Sequence, residues 1–107
     1  MEDRPGSHPA YVEDVLVAVE AIPPGRVMSY GDVAEYVGQG GPRQVGQVMS
    51  RYGGAVPWWR VIRADGSPPT CHDSEALELL RAEGTPMRRD GRRVDMRRAR
   101  WKGASAS

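Results

Sequence analysis

Residues 29–54 read SYGDVAEYVGQGGPRQVGQVMSRYGG, and this stretch decides the fold. Ser29 is a favoured N-cap residue, and Asp32, three positions later, can complete a capping box at the start of a helix. Gly38 is placed to end that helix, and Pro42 suits the first position of the next helix, where its missing N–H costs nothing. A pair of glycines closes the stretch. Two short helices joined by a glycine-rich turn are typical of a helix-turn-helix unit.

The segments on either side supply the other elements. Residues 9–21 carry apolar side chains at three- and four-residue spacing, which predicts a first helix. Residues 56–63 are predicted as a short buried strand, and residues 74–83 as a fourth helix. Residues 87–96 hold an Asp-Gly turn between two extended arms, which is typical of a β-hairpin. The expected fold is therefore mostly α with a small β-hairpin, a winged-helix-like helix-turn-helix domain.

The composition is that of one globular domain. The chain has 107 residues, of which 39% are hydrophobic and 27% charged. We expect a flexible N-terminal arm at residues 1–8, one folded domain at residues 9–102 and a tail at residues 103–107. The sequence contains no apolar run of membrane-spanning length and no signal-peptide core, so a cytoplasmic location, nucleoid-associated in a bacterium, is expected. With a single cysteine and two histidines, neither a metal site nor a disulfide framework nor a cofactor is expected.

Charge is distributed unevenly along the chain. The net charge is +1, but residues 88–102 hold eight basic and two acidic residues, a balance of +6. Residues 1–87 hold seven basic and twelve acidic residues, a balance of −5. This asymmetry is consistent with a basic edge that faces a polyanion. A solvated arginine-rich segment explains it equally well, and the edge could also face a protein.

Three motifs occur in a characteristic order and spacing. They are IPPGRVMSYGDVA at residues 22–34, PRQVGQVM at residues 42–49 and VPWWRVI at residues 56–62. Together they resemble the DNA-binding domain of the O6-alkylguanine-DNA alkyltransferases, and more closely the non-enzymatic, alkyltransferase-like branch of that family. The resemblance covers about residues 9–101. It implies a monomeric protein that flips O6-alkylguanine out of duplex DNA into a pocket, leaves it unrepaired and marks it for nucleotide excision repair proteins.

The third motif departs from that of the family enzymes. The enzymes carry Pro-Cys-His-Arg-Val, in which the cysteine thiolate takes the alkyl group and the histidine helps to activate it, whereas residues 57–61 read PWWRV here. An indole offers no useful nucleophile, so transfer to Trp58 is excluded chemically. The enzymes also use an acidic residue from a glycine-rich stretch, which residues 68–75 replace in this chain. We therefore expect that the protein is not an enzyme.

The resemblance also implies which residues contact DNA. Arg43 corresponds to the arginine that fills the space of the flipped nucleotide, and its planar guanidinium can stack there. Tyr30 corresponds to the tyrosine that presses on the neighbouring phosphate. Gly46 would let the helix approach the DNA backbone in the minor groove. The predicted DNA-binding residues are Tyr30, Arg43, Gln44, Gly46, Gln47 and Ser50.

A flipped base loses its stacking partners, and an aromatic face can offset that loss. Side chains alternate along a strand, so Trp58 and Trp59 are expected to point in opposite directions, and spacing alone leaves open which one faces the pocket. The family correspondence assigns Trp58 to the pocket and Trp59 to its support. The predicted pocket residues are Tyr30, Trp58, Val61 and Cys71, the last of these on the rim.

Two other functions remain open at this point. The chain could be a residual alkyltransferase that uses Cys71, its only thiol. It could also be a winged-helix transcription regulator that reads the major groove through residues 42–51. The absence of an obvious dimerisation element counts against the second alternative.

Overall fold

The computed structural model describes residues 9–69 and 72–103. Its elements in chain order are α1 (Pro9–Ala21), β1 (Met28–Ser29), α2 (Tyr30–Val37), α3 (Pro42–Tyr52), 3-10 turns at Gly53–Ala55 and Trp58–Arg60, β2 (Val61–Ile62), α4 (Asp73–Ala82) and α5 (Met96–Ala99). The fold class is confirmed, since the chain is mostly helical with a small two-stranded sheet. The predicted arm at 1–8, residues 104–107 of the predicted tail, and Cys71 lie outside the described residues.

The helix-turn-helix unit begins and ends at the predicted signals. The side chain of Ser29 accepts a hydrogen bond from the Asp32 N–H at 3.0 Å, and the Asp32 carboxylate accepts one from the Ser29 N–H at 3.0 Å. The helix ends at Gly38, whose φ of 92° is readily adopted by glycine and strained for other residues. Pro42 occupies the start of α3. These contacts confirm the capping box and both helix starts.

Two apolar clusters form the core. The first lies where α1, α2 and α3 pack together and includes the fully buried Val15, Val33 and Val45. The second joins β2 and α4 to the C-terminal segment through residues such as Leu80 and Val94. Helices α2 and α3 are thereby held as a rigid pair, and the basic segment is attached to the same domain.

The small sheet differs from the expected hairpin. Strands β1 and β2 are parallel, with Met28 opposite Val61. Residues 87–96 form an Asp-Gly turn closed by one antiparallel bridge between Met87 and Val94, after which α5 begins. The Asp-Gly turn at 87–96 is therefore present, but its two arms share a single bridge and do not form paired strands. The regular strand pairing is between β1 and β2.

The prediction of a strand over residues 56–63 is wrong for most of its length. Pro57 has φ −71° and ψ 73°, the geometry of an inverse γ-turn, and the Trp58 N–H donates to the Val56 carbonyl at 2.6 Å. A 3-10 turn follows, so that Val61 is the first residue with extended pairing. Proline and the preceding glycines favour turns over a continuous strand. Strand alternation therefore does not govern the directions of Trp58 and Trp59.

No helix within the two described ranges combines the length and apolar character needed to cross a membrane.

Candidate nucleic-acid interface

A pocket of about 460 Å³ opens beside α3. Its size falls within the range of small-molecule sites. It lies between the start of α2, the exposed side of α3, the 3-10 turns and the start of α4. The lining residues are Tyr30, Gly46, Met49, Ser50, Gly53, Gly54, Trp58, Pro69, His72 and Glu75. The pocket therefore brings together the two aromatic residues predicted for it, Tyr30 and Trp58, on elements 28 positions apart in the sequence.

Trp58 is positioned by the turn that precedes it and by two neighbouring rings. Its indole meets the ring of Trp59 edge-on, with centroids 5.8 Å apart and an interplanar angle of 87°. The ring of His72 lies 5.8 Å away at a tilt of 59°. Trp58 is only half-buried, because the inverse γ-turn at Pro57 directs it towards the cavity. Part of a wide aromatic surface is therefore available to a ligand in the pocket.

Trp59 lies behind this surface and is held by Glu83. The Trp59 Nε1–H donates to Glu83 Oε2 at 3.0 Å. Arg60 donates to the same carboxylate through Nε at 3.0 Å and through Nη2 at 2.5 Å, and its Nη1 donates to the Ile22 carbonyl at 2.8 Å. The Gly25 N–H also points at Glu83 Oε1, at 3.4 Å. One carboxylate thus connects the tryptophan turn, the turn that follows α1 and the end of α4.

The ionisation of Glu83 reflects these contacts. Desolvation by burial acts to raise the pKa of its carboxyl, but the hydrogen bonds from Arg60, Trp59 and Gly25 outweigh it, and the pKa lies below its ordinary value. The carboxylate is therefore ionised at neutral pH. An acidic side chain does accompany position 59, because Glu83 contacts the Trp59 indole from the end of α4 and not from residues 68–75. Its sequence signal is weak, since a lone acidic residue at a helix end is usually solvated.

Tyr30, the first residue of α2, lines the pocket with a partly buried ring. Burial raises the pKa of its hydroxyl, and the positive charge of Arg63 opposes that effect. The phenol is therefore neutral at physiological pH, so it can donate a hydrogen bond to an anionic oxygen.

The residues predicted to bind DNA on α3 have different surroundings. Arg43 and Gln47 are exposed, and Ser50 is exposed at the pocket edge. The side-chain oxygen of Gln44 instead accepts a hydrogen bond from the Gly41 N–H at 3.0 Å and so helps to begin the helix. These three predicted residues are thus accessible on α3, whereas the side chain of Gln44 caps the start of the helix.

Gly46 borders the pocket in the middle of α3. A Cβ atom at this position would meet no atom of the described residues within 4 Å. Because glycine weakens a helix interior by about 1 kcal/mol relative to alanine, its presence calls for a reason. Packing within the described residues supplies none.

Two predicted pocket residues need separate treatment. Val61 was expected to line the pocket, and this prediction is wrong. Its side chain is fully buried in the core, and its backbone pairs with Met28 in the sheet. Cys71 lies outside the described residues.

The prediction also missed His72 and Glu75, which line the pocket from the start of α4. Their spacing of three residues places them on one side of a helical turn, a signal that was present beside Cys71.

The basic segment is partly neutralised by ion pairs. Arg93 pairs with Asp90 at 3.2 Å, and Arg100 pairs with Asp32 on α2 at 3.0 Å. Arg97 and Arg98 on α5 are exposed. Positive charge is therefore available on the surface of this segment. Among the residues described, no cluster of three or more metal-ligating side chains occurs.

Comparison with known proteins gives consistent matches. A family model described as the DNA-binding domain of 6-O-methylguanine DNA methyltransferase matches residues 10–85. The chain is 35% identical over 105 residues to the DNA base-flipping protein of Escherichia coli, covering 94% of this chain and 81% of that protein. It is 47% identical over 56 residues to alkyltransferase-like protein 1 of Schizosaccharomyces pombe, covering 50% of this chain and 52% of that protein.

Solved structures match over nearly the whole fold. The structure of S. pombe Atl1 in complex with damaged DNA containing O6-carboxymethylguanine superposes with a TM-score of 0.77 at 29% identity, covering 90% of this chain and 98% of that one. A structure of S. pombe ATL in complex with DNA gives a TM-score of 0.76 at 30% identity.

Proposed function

The chain belongs to the family of the 6-O-methylguanine DNA methyltransferase DNA-binding domain, and from this premise we propose that it is an alkyltransferase-like protein that recognises damaged DNA by base flipping. It binds duplex DNA containing O6-alkylguanine, turns the modified base into the pocket beside α3 and holds it there without removing the alkyl group. The observation that carries this proposal is the indole of Trp58, which borders that pocket. The resemblance of the third motif implies that Trp58 stands where the family enzymes carry their reactive cysteine.

Trp58 stabilises the flipped base by stacking. Extrusion of a base costs a few kcal/mol, and contact with one aromatic ring offsets about 1–3 kcal/mol. Trp58 is only half-buried and lines the pocket, so part of its ring is accessible for this purpose. A base that pairs weakly, as O6-alkylguanine does, is extruded at lower cost than guanine, so the same pocket favours the damaged base.

The residues of α2 and α3 hold the DNA open. Arg43, in the first turn of α3, enters the space that the base leaves and donates to its orphaned partner. Tyr30 contacts the phosphate beside the flipped nucleotide, and its neutral hydroxyl donates to a phosphate oxygen. Gly46 lets the helix approach the minor groove, while Gln47 and Ser50 contact the backbone.

The alkyl group stays on the base because the chemistry for its transfer is missing. Neither a thiol nor an amine occurs among the lining residues that the structure describes. Without the thiolate that the family enzymes use, the complex persists for as long as binding lasts. A persistent complex of one protein molecule with the lesion then marks the site for nucleotide excision repair proteins.

The proposal is tested by competition between duplexes of one sequence that contain either O6-methylguanine or guanine. We expect tighter binding of the modified duplex, and we expect Trp58→Ala to reduce this preference. Tyr36→Ala, which removes an exposed aromatic ring outside the pocket, is the matched control and should keep it. Equal binding of both duplexes by the natural protein would favour a sequence-reading regulator.

Mass spectrometry of the protein after incubation with the modified duplex tests the absence of transfer. An unchanged protein mass is expected. The addition of one methyl group, mapped to Cys71, would instead identify a residual alkyltransferase.

A further inference from the structure

The pocket carries a negative charge at one edge. Glu75, in the first turn of α4, is the one carboxylate among its described lining residues, and no lysine or arginine is found among them. The remaining lining side chains are aromatic, apolar or hydroxylic, apart from the imidazole of His72. We propose, resting on the function proposed above, that Glu75 makes this pocket select against anionic O6 adducts and in favour of neutral or cationic ones.

The pocket is small enough to keep a bound adduct near Glu75. A sphere with the volume of this pocket, about 460 Å³, is about 10 Å across. The Debye length at physiological ionic strength is about 8 Å, so a charge in most of the pocket, though not at its far side, interacts with the Glu75 carboxylate. Two like charges roughly 6 Å apart repel at an effective dielectric constant of about 40–80 by an amount equivalent to about threefold to tenfold in affinity. Because Glu75 is exposed, the lower part of this range applies.

Three neighbouring groups could alter the local charge. Tyr30 stays neutral because burial raises the pKa of its hydroxyl. Arg63 acts on Tyr30 but does not line the pocket, and its side chain is exposed and screened by solvent. His72 lines the pocket beside Trp58. The contribution of Glu75 is therefore isolated by removing its charge while these three groups are kept.

The comparison structure contains an anionic adduct. S. pombe Atl1 was solved with DNA containing O6-carboxymethylguanine, whose added group is a carboxylate. An adduct of that kind would place a second carboxylate in a pocket that already borders on Glu75. The proposal therefore expects this chain to bind that adduct less well than a neutral adduct of the same size.

The experiment uses four duplexes of one sequence that carry guanine, O6-methylguanine, O6-carboxymethylguanine or O6-carbamoylmethylguanine. The last two adducts have the same shape and differ by one charge. For the natural protein, the dissociation constant should be about threefold larger for carboxymethyl than for carbamoylmethyl. In Glu75→Gln this ratio should fall to about one. Both measurements are then repeated in a His72→Gln background, which removes the imidazole. The ratio of dissociation constants should still fall when Glu75 is replaced by Gln.

Glu78→Gln is the matched control, since Glu78 is exposed on the same helix and does not line the pocket. This variant makes the same change in net charge and should keep the natural ratio. A ratio of one in the natural protein, or the same ratio in Glu75→Gln, would overturn the inference. Loss of any preference for O6-methylguanine over guanine would overturn the proposed function instead, so the two failures are distinguishable.

Discussion

The indole Nε1–H of Trp59 donates to Oε2 of Glu83 at 3.0 Å, across 24 positions of sequence. Arg60 binds the same carboxylate, and the side chains of Arg60 and Glu83 are only 12% and 16% exposed. Glu83 thereby fixes the 3-10 turn from which Trp58 projects. The position of the stacking surface thus depends on a residue outside the pocket.

Loss of the Glu83 charge should destabilise the fold. Removing one partner of a largely buried ion pair leaves the other charge uncompensated, so Glu83→Gln should lower the free energy of unfolding by about 3 kcal/mol at neutral pH. Urea denaturation measures this change. Glu78→Gln, on the exposed side of the same helix, should change the free energy by less than about 0.5 kcal/mol.

The pH dependence of the same variant provides a second readout. The pKa of Glu83 is lower in the folded protein than its ordinary value of 4.5, so its contribution to stability is present above that value and is lost as the pH falls through the folded pKa. Glu83→Gln should therefore be less stable than the natural protein at neutral pH and should approach it in acid. A stability difference that is constant from neutral pH into acid would contradict this account.

Gly46→Ala should separate stability from binding. Because the added methyl group meets no atom of the described residues within 4 Å and removes a helix-weakening glycine, we expect the free energy of unfolding to rise by about 0.5–1 kcal/mol. The same methyl group would stand between α3 and the DNA backbone, so affinity for modified duplex should fall. Thermal unfolding and fluorescence anisotropy measure the two effects. A more stable protein with unchanged affinity would mean that nothing approaches α3 closely there.

The helix-turn-helix unit could be predicted because its signals are local. Ser29 and Asp32 form the capping box within one turn, and Pro42 marks the next helix start on its own. The parallel pairing of Met28 with Val61 could not be predicted, since it joins two strands of two residues that are 33 positions apart. Tertiary context, and not local propensity, decides such short strands.

The site was predictable to a smaller extent. Trp58 could be assigned to the pocket only through the family resemblance, because the rule of strand alternation did not apply to a 3-10 turn. The contact between Trp59 and Glu83 is a long-range one that no spacing encodes. Val61 was misassigned because a motif position does not reveal whether a side chain or only its backbone is near the ligand.

Arg43→Ala should weaken binding to damaged DNA in particular. If the guanidinium fills the gap left by the flipped base, its loss should cost about 1–3 kcal/mol on an O6-methylguanine duplex and less on an unmodified one. Titration of both duplexes measures the difference. Arg51→Ala, at the other end of α3, removes the same charge and should affect both duplexes alike. Equal losses of affinity in the two variants would indicate that Arg43 contacts a phosphate and does not fill the gap left by the base.

The exposed arginines of α5 should contribute to the salt dependence of binding. If Arg97 and Arg98 contact phosphates, the double variant Arg97→Gln with Arg98→Gln should reduce the slope of log affinity against log salt by about 1–2 for damaged and undamaged DNA. Arg93→Gln is the control, since this arginine already pairs with Asp90. An unchanged slope would indicate that this edge faces a protein partner and not DNA.

Restoring the enzyme motif through Trp58→Cys with Trp59→His tests both the stacking surface and the residues behind it. The double variant loses the indole face, so its binding to an O6-methylguanine duplex should weaken by about 1–3 kcal/mol. The new imidazole would lie where the Trp59 indole now donates to Glu83, so one ring nitrogen could be held by that carboxylate and the other could face the new thiol. We therefore expect slow, single-turnover methyl transfer, detectable by mass spectrometry.

The single variants separate the two effects. Trp58→Cys alone provides a thiol without a base and should bind weakly with no transfer, because the thiolate is the nucleophile and its formation needs assistance. Trp59→His alone keeps the stacking surface of Trp58 and should bind the modified duplex as tightly as the natural protein does, once its folded fraction has been confirmed. Tight binding by the double variant would contradict the stacking role of Trp58. A double variant that binds weakly and never gains a methyl group would show that Glu83, already shared with Arg60, does not orient a base at position 59.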